Sequence, residues 1–215
     1  MIESIQSWHW SSAKELGAAS VAIMVVGYAI YIRQTYLNKV RPHPLSWVLF
    51  ASTTGVAYLI QVSRGGGPGS WVMGLTAFVC FAISALSWYM GRRLSYSSRD
   101  WIFFAGALLV LGCYVATVHV YKATPAIPAV VATIADVVAY VPTVVKGWSK
   151  PHDDSVTSFL FNSAKFLPSV AALGPYTLAT HLFPVTLGIV NALVAAMLVL
   201  RRLYLGGAHI KAHSL

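Results

Sequence analysis

Long apolar runs separated by short polar segments dominate this chain of 215 residues. A helix that crosses the ~30 Å hydrocarbon core of a bilayer needs ~20 mostly apolar residues. Seven runs come close to that length: residues 13–37, 45–62, 70–90, 101–121, 125–146, 155–174 and 183–204. The pattern therefore predicts an all-α integral membrane protein with seven transmembrane helices.

Composition agrees with a bilayer as the solvent. The chain is 57% hydrophobic and only 10% charged, and its mean hydropathy is +0.68. A soluble domain carries about a quarter charged residues. The first run is too long for a signal peptide and has no basic lead segment, so we expect it to be a retained span.

The net charge of +9 would indicate a nucleic-acid partner in a soluble protein. Here the basic residues alternate by loop, with eleven on one side of the predicted spans and three on the other. The eleven are Arg33, Lys39, Arg41, Arg92, Arg93, Arg99, Lys146, Lys150, Arg201, Arg202 and Lys211, and the three are Lys14, Arg64 and Lys122. The positive-inside rule then predicts an outside N-terminus and a cytoplasmic C-terminus, in a plasma (inner) membrane and with no nucleic acid bound.

The sequence contains an internal repeat. An offset of 109 residues aligns Pro42-His43 with Pro151-His152 and Arg92-Arg93 with Arg201-Arg202. Two units of three spans would face opposite ways if joined directly, and one extra span between them makes them parallel. We therefore expect a 3+1+3 layout: a first three-helix repeat at 13–93, a linker helix at 98–122, a second repeat at 125–205 and a cytoplasmic tail at 206–215.

Each repeat carries a short motif at the end of its first helix. Tyr31-Ile-Arg-Gln34 leads through a basic loop to Ser46, and Tyr140-Val-Pro-Thr143 leads through a basic loop to Ser155. Both resemble the PQ-loop motif of the family that includes SWEET and SemiSWEET sugar transporters and lysosomal amino-acid exporters. The resemblance implies a SWEET-like pair of parallel three-helix bundles, with the first, second, fifth and sixth helices around a central cavity.

Each motif keeps one half of the Pro-Gln pair, because Arg33 replaces the Pro of the first copy and Thr143 replaces the Gln of the second. If the family uses this position as a hinge, Gln34 and Pro142 are the hinge candidates. Pro168 in the sixth span is a third, because Pro removes a helical hydrogen bond and clashes with the preceding turn. A static kink is the alternative interpretation of these residues.

Polar residues inside spans are informative, because each is costly in hydrocarbon and tends to face a cavity or a partner. Two sets recur at helical spacing: Thr133, Asp136, Tyr140 and Thr143 on the fifth span, and Ser158, Asn162, Lys165 and Ser169 on the sixth. The candidates for binding substrate or coupling ions are Asp136, Tyr140, Asn162 and Lys165. Asn191 joins them through the resemblance, since an Asn on the last SWEET helix lines the cavity; an interhelical hydrogen bond is the alternative.

Asp136, Lys165 and Asn191 each lie ten residues, or ~15 Å, from the cytoplasmic end of their predicted span. That depth is close to the bilayer midplane, where a lone charge is expensive. We therefore expect Asp136 and Lys165 to meet there, directly or through water. A structural ion pair that locks the fifth and sixth helices is the alternative to a functional one.

These features favour a secondary transporter or facilitator of a small polar solute, such as a sugar, an amino acid or a related metabolite, working by alternating access. The alternative is a ligand or cargo receptor on the same scaffold that transports nothing.

Residues 63–70 are rich in Gly but lack the Lys of a phosphate-binding loop, so a flexible connector is expected. Catalytic and metal-ligand constellations are missing, so we expect no enzyme, cofactor or metal. The expected partners are the bilayer and the solute, and a homo-oligomer is compatible with the sequence.

Overall fold

A computed structural model describes residues 2–37, 39–40, 42, 44–90, 98–120 and 124–212, and within these ranges the chain is helical with no strand. The α-helices are α1 (Ile2–Tyr36), α2 (Pro44–Ser63), α3 (Trp71–Tyr89), α4 (Ser98–Tyr114), α5 (Ala126–Ala139), α6 (Val141–Ser149), α7 (Val156–Ala164), α8 (Phe166–Ala172) and α9 (Leu178–Ala212). A π-helical turn, Val115–Val120, extends α4. Short 3-10 helices occupy Gly67–Ser70 and Pro151–Asp153.

Within the described ranges, six helical stretches are long and apolar enough to cross a membrane. They are Ser11–Tyr36, Pro44–Ser63, Gly67–Tyr89, Trp101–Val118, Ala126–Ser149 and Leu178–Leu205. The all-α, multi-pass character predicted from the apolar runs is thus confirmed. The sixth predicted span, 155–174, is divided into α7 and α8, and neither piece reaches spanning length alone.

The distribution of side chains is that of a protein in lipid. Large apolar side chains on the outer surface are exposed, among them Phe78 at 70% and Leu200 at 66%. Polar side chains such as Gln61, Ser87 and Ser169 are fully buried instead. A water-soluble protein would not leave so much contiguous apolar surface uncovered. A hydrocarbon environment accounts for both observations, since polar groups there must find partners inside the bundle.

Several helix ends differ from the sequence-based boundaries. Helix α1 begins at Ile2 rather than at residue 13, and α9 runs from Leu178 to Ala212 rather than over 183–204. Most of the segment predicted as a tail is therefore a continuation of the last helix, and residues 213–215 lie outside the described part. Helix α7 begins after Ser155, whose hydroxyl accepts a hydrogen bond from the Ser158 backbone N–H at 3.3 Å and so caps the helix.

The sixth span breaks at Lys165, between α7 and α8. Pro168 explains the position, because its ring clashes with the carbonyl four residues earlier, that of Ala164. The Lys165 carbonyl accepts a hydrogen bond of 2.6 Å from the Ser20 hydroxyl of α1. Helix α1 therefore supports the break.

The fifth span breaks at Tyr140, between α5 and α6. Pro142 follows two residues later and has no N–H with which to continue the helical ladder. The Tyr140 carbonyl accepts from the Val144 N–H at 2.9 Å, so the helix resumes at once. Both inner helices of the second half are thus interrupted near a proline.

The helices pack in a regular order. Helix α3 packs against α1 and α2, and α9 packs against α5, α7 and α8. Between the halves, α1 packs against α7 and α8, and α2 packs against α5. Helix α4 packs against α2 and α5. The first, second, fifth and sixth spans thus meet at the centre.

The Gly-rich segment before α3 is packed against α8 and is not the free connector expected from the sequence. Gly65 and Gly67 have φ of 73° and 59°, a left-handed conformation that glycine adopts without strain. The Ser169 hydroxyl donates to the Gly69 carbonyl at 2.8 Å, and the Gly174 N–H donates to the Gly66 carbonyl at 3.2 Å. This end of the bundle is held together by close backbone contacts.

Candidate functional site

A cavity of about 280 Å³ lies where α1, α2, α3, α5, α6, α7 and α9 meet. It contains the charged groups at the middle of the spans and extends to the ends of α6 and α7. Its polar lining comprises Tyr28, Tyr31, Ser46, Thr54, Thr76, Asp136, Tyr140, Thr143, Lys146, Asp154, Ser155, Ser158, Asn162, Lys165 and Asn191. The volume is near the low end of the range for small-molecule sites, about 300–1,000 Å³, so it suits a small solute.

Lys165 extends into this cavity from the break between α7 and α8, and it is only 2% exposed. Its ammonium donates hydrogen bonds to the Thr76 hydroxyl at 3.1 Å and to the Tyr28 hydroxyl at 3.4 Å. The same nitrogen lies 4.8 Å from the centre of the Tyr28 ring and 5.1 Å from that of Phe166, which are cation–π distances. The partners are neutral, and within the described part of the chain no group takes the third ammonium hydrogen.

Asp136 lies on α5 and is 3% exposed. Its Oδ1 accepts a hydrogen bond from the Thr53 hydroxyl of α2. Among the described residues, no ion pair within 4.0 Å joins Asp136 to Lys165. The two side chains therefore do not make the direct form of the expected contact, and the contact through water stays a prediction. Thr53 was missed because it is an ordinary hydroxyl in an apolar run.

Asn191 and Tyr140 are brought together across α9 and the α5–α6 break. The Asn191 amide donates to the Tyr140 hydroxyl at 2.9 Å and to the Leu187 carbonyl of its own helix at 2.8 Å. The Asn191 Oδ1 is buried and has no hydrogen-bond partner in the described residues. The interhelical hydrogen bond, which was the alternative interpretation of Asn191, is thus present, and it leaves the Oδ1 acceptor of this cavity-lining residue unpaired.

Only some residues of the two polar sets on the fifth and sixth spans reach the cavity. Asn162 and Thr143 line the cavity. Thr133 is buried, but its hydroxyl donates to the Ala129 carbonyl of its own helix at 2.7 Å. Ser169 lies against the Gly-rich segment instead. A helical period fixes the face of a helix, but the depth of the cavity decides which residues on that face can reach it.

The hinge candidates occupy different settings. Pro142 and Pro168 both follow breaks in their spans, as described above. Gln34 lies within the last turns of α1, where its backbone carbonyl accepts from the N–H groups of Lys39 at 2.9 Å and Val40 at 3.3 Å. Helix α1 continues past Gln34 to Tyr36, so Gln34 closes a helix end and the helix is not kinked there.

An arc of aromatic rings borders the cavity, and the sequence argument did not single it out. The Tyr31 and Trp47 ring centres are 5.1 Å apart, and those of Tyr140 and Phe159 are 6.5 Å apart. Phe50 joins the two pairs, at 5.9 Å from Trp47 and 5.7 Å from Tyr140. The sequence contains a signal that could have revealed the arc, because the dipeptide Ser46-Trp47 is similar to Ser158-Phe159.

The cavity reaches one end of the bundle. There, the Lys146 ammonium and the Asp154 carboxylate form an ion pair of 3.3 Å beside the lining residues Pro42 and Ser155. These residues lie on the side that the charge distribution predicts to be cytoplasmic. The opposite end is filled by the contacts between the Gly-rich segment and α8. In the part of the chain that is described, three or more His, Cys, Asp or Glu side chains nowhere cluster as metal ligands would.

The fold and the site define this chain as a multi-pass α-helical membrane protein with a polar, charged cavity inside its helix bundle. It matches no protein-family model, and no curated protein or solved structure is significantly similar to it.

Proposed function

We propose that this protein is a secondary transporter or facilitator of a small polar solute. The observation that carries the proposal is the cavity, which Asp136, Lys165 and Asn191 all line while each keeps unused hydrogen-bonding capacity. Ionisable groups buried in membrane spans are costly, so they mark solute or ion pathways more often than they serve packing. A small-solute site between two helical units is the usual arrangement in secondary transporters.

The packing supports two parallel three-helix units around this site. In each half, the third helix packs against the first and the second: α3 against α1 and α2, and α9 against α5, α7 and α8. Between the halves, the first helix of one packs against the second helix of the other, in both directions. Exchange of the two halves therefore preserves these particular contacts, as a pseudo-two-fold axis along the membrane normal requires.

The aromatic arc supports the same symmetry. Tyr31 of the first half aligns with Tyr140 of the second at the repeat offset of 109, whereas Ser46-Trp47 resembles Ser158-Phe159 at an offset of 112. Tyr31 is in ring contact with Trp47, and Tyr140 with Phe159. The PQ-loop-like motifs end the first helix of each half beside these pairs. Alternating access would then rock one half against the other about the shared cavity.

The conformation described here corresponds to an inward-facing state in that cycle. The cavity extends towards the predicted cytoplasmic ends of α6 and α7, and the Gly-rich segment packs on α8 at the other end. Opening to the outside requires those backbone contacts to separate. The breaks at Tyr140 and Lys165 are suitable hinges, because a few residues at an element end absorb such a change.

A receptor that transports nothing is the second candidate, and the one-sided reach of the cavity favours it. A receptor needs no opening on the far side and would keep the contacts between Gly69 and Ser169 permanently. The two functions therefore differ in whether the solute crosses the bilayer.

Uptake into proteoliposomes tests the proposal. The purified chain is reconstituted into sealed vesicles, and a panel of sugars, amino acids and organic acids is screened by counterflow, with and without a pH gradient. We expect accumulation or exchange of at least one compound. Binding of a compound without its passage into the vesicles would favour the receptor function. Equal uptake with and without the pH gradient would exclude proton coupling.

Two substitutions test the central charges. We expect Lys165→Ala and Asp136→Asn each to abolish uptake while the protein remains folded, since each removes a group that faces the solute. The matched controls are Lys150→Ala and Glu15→Gln, which remove the same charges at exposed positions and should leave uptake unchanged. Folded and fully active cavity variants would refute the site.

A further inference from the structure

Two opposite charges line one cavity without pairing with each other. Lys165 is bonded to the hydroxyls of Thr76 and Tyr28, and Asp136 is bonded to the hydroxyl of Thr53. A pair that served only to neutralise two buried charges would be expected in direct contact, where its attraction best offsets desolvation. Separation leaves each charge able to attract a complementary group of a ligand.

The Lys165 end of the cavity suits a carboxylate. The ammonium keeps one donor unused among the described residues, and the two hydroxyls that hold it are neutral. Hydrogen bonds between an ammonium and a carboxylate are about twice as strong as neutral ones. An anionic oxygen would supply the counter-charge that Lys165 lacks in this structure.

The Asp136 end suits an organic ammonium group. Thr53 occupies Oδ1 of the carboxylate, and Oδ2 has no partner in the region the structure covers. Asn191 lines the same cavity and is 2% exposed, and its buried Oδ1 is a second acceptor without a partner among the described residues. A buried acceptor without a donor costs free energy, which an N–H group of a ligand would recover.

The aromatic arc adds a surface for a cation. Trp47, Phe50 and Tyr140 line the cavity on the side of α2 and α5, the helices that carry Thr53 and Asp136. Ring faces attract ammonium groups within ~6 Å of their centres. An uncharged sugar would use neither this attraction nor the two separated charges.

We propose that the solute is a small zwitterion, whose carboxylate binds Lys165 and whose ammonium binds Asp136. The inference rests on the proposed function only in using the same cavity. A zwitterion leaves the loaded site as neutral as the empty one, whereas an acid or an amine alone would bring an uncompensated charge into the middle of a bilayer.

Matched sets of ligands test the assignment. One set is L-alanine, L-lactate and ethylamine, and the other is L-leucine, 2-hydroxy-4-methylpentanoate and 3-methylbutylamine, with D-glucose as the neutral comparison. Binding to the full chain in detergent is measured by thermal shift, and passage by counterflow in vesicles. We expect at least one zwitterion to bind about tenfold or more tightly than both of its analogues.

Substitutions at Lys165 and Asp136 test which end of the cavity binds the carboxylate of the ligand and which binds its ammonium. Lys165→Met should remove the preference for the zwitterion over the amine, and Asp136→Asn should remove the preference over the acid. Lys165→Arg and Asp136→Glu keep the charges, so they should keep the ranking of ligand affinities. They separate loss of the charge from loss of folding in Lys165→Met and Asp136→Asn. Lys150→Met is the matched control at an exposed position.

The inference is overturned if neither zwitterion binds, if an acid or amine binds as well as its zwitterion, or if both cavity variants lose all ligands equally. Its failure is distinguishable from that of the transport proposal. Zwitterion binding without passage would refute transport alone, and passage of glucose without zwitterion binding would refute this inference alone.

Discussion

Thr53 holds the carboxylate at the centre of the bundle. Its hydroxyl donates to Asp136 and also lies 3.1 Å from the carbonyls of Leu49 and Phe50, so one hydrogen serves several acceptors. The hydroxyl is fully buried, and water is therefore no substitute for it. The position of Asp136 in the cavity depends on this one side chain of α2.

Replacement of Thr53 by Val keeps the shape of the side chain and removes its hydroxyl. We expect Thr53→Val to lower the free energy of unfolding by about 1–3 kcal/mol, because a buried carboxylate oxygen loses its donor. Thermal unfolding in detergent measures the loss. The control is Thr54→Val, since the neighbouring hydroxyl makes no hydrogen bond in the described structure. Equal melting temperatures for the two variants would contradict the role of Thr53.

At the scale of elements, the packing at the end of the bundle opposite the cavity mouth requires a residue without a side chain at position 69. A Cβ at Gly69 would lie 2.4 Å from the Leu173 nitrogen and 2.6 Å from the Ser169 carbonyl oxygen, both of which are backbone atoms. Backbone cannot rotate aside as a side chain can. The 3-10 helix Gly67–Ser70 and helix α8 therefore approach as closely as they do only because residue 69 is glycine.

Substitution of this glycine should separate the two elements. We expect Gly69→Ala to destabilise the protein by about 1–3 kcal/mol, the usual cost of forcing extra volume into a packed site. Gly112→Ala is the control, because a Cβ at that helical position meets no atom within 4 Å. The readout is the difference in thermal stability between the two variants. A Gly69→Ala protein as stable as the control would show that the contact is not tight.

Breaks in two helices give the second half of the bundle its functional geometry. Lys165 lies at a break, and its carbonyl is bonded to Ser20 of α1. Tyr140 lies at the other break, and its hydroxyl is bonded to Asn191. Each break thus places a polar side chain at the cavity. At Lys165 a hydroxyl of a neighbouring helix also satisfies the backbone carbonyl, as interrupted membrane helices require.

For the whole molecule, the charge asymmetry predicts the orientation in the membrane. His152, in the 3-10 helix Pro151–Asp153, and Tyr176, in the loop before α9, are exposed residues at opposite ends of the bundle. In a background in which Cys80 and Cys113 are replaced by Ala, we expect Tyr176→Cys to react with an impermeant thiol reagent added to intact cells. His152→Cys should react only after permeabilisation. The reverse pattern would place the cavity mouth outside and invert the topology.

The sequence by itself determined the class of the protein and the residues worth examining. Apolar runs of spanning length fix the solvent, and a polar residue such as Asp136 or Lys165 stands out in them because its cost in lipid demands a reason. The count of ten residues from each predicted span end predicts that both side chains lie near the midplane. Pro168 indicated where the sixth span would be interrupted.

Only the tertiary structure decided the partners. Asp136 bonds Thr53 and Lys165 bonds Thr76, although the simplest sequence argument joined the two charges to each other. Periodicity gives the depth and the face of a residue on its own helix, but the rotation and the distance of one helix relative to another depend on packing along their full length. Contacts such as that of Gly69 with α8 set that packing, and they join residues 100 positions apart.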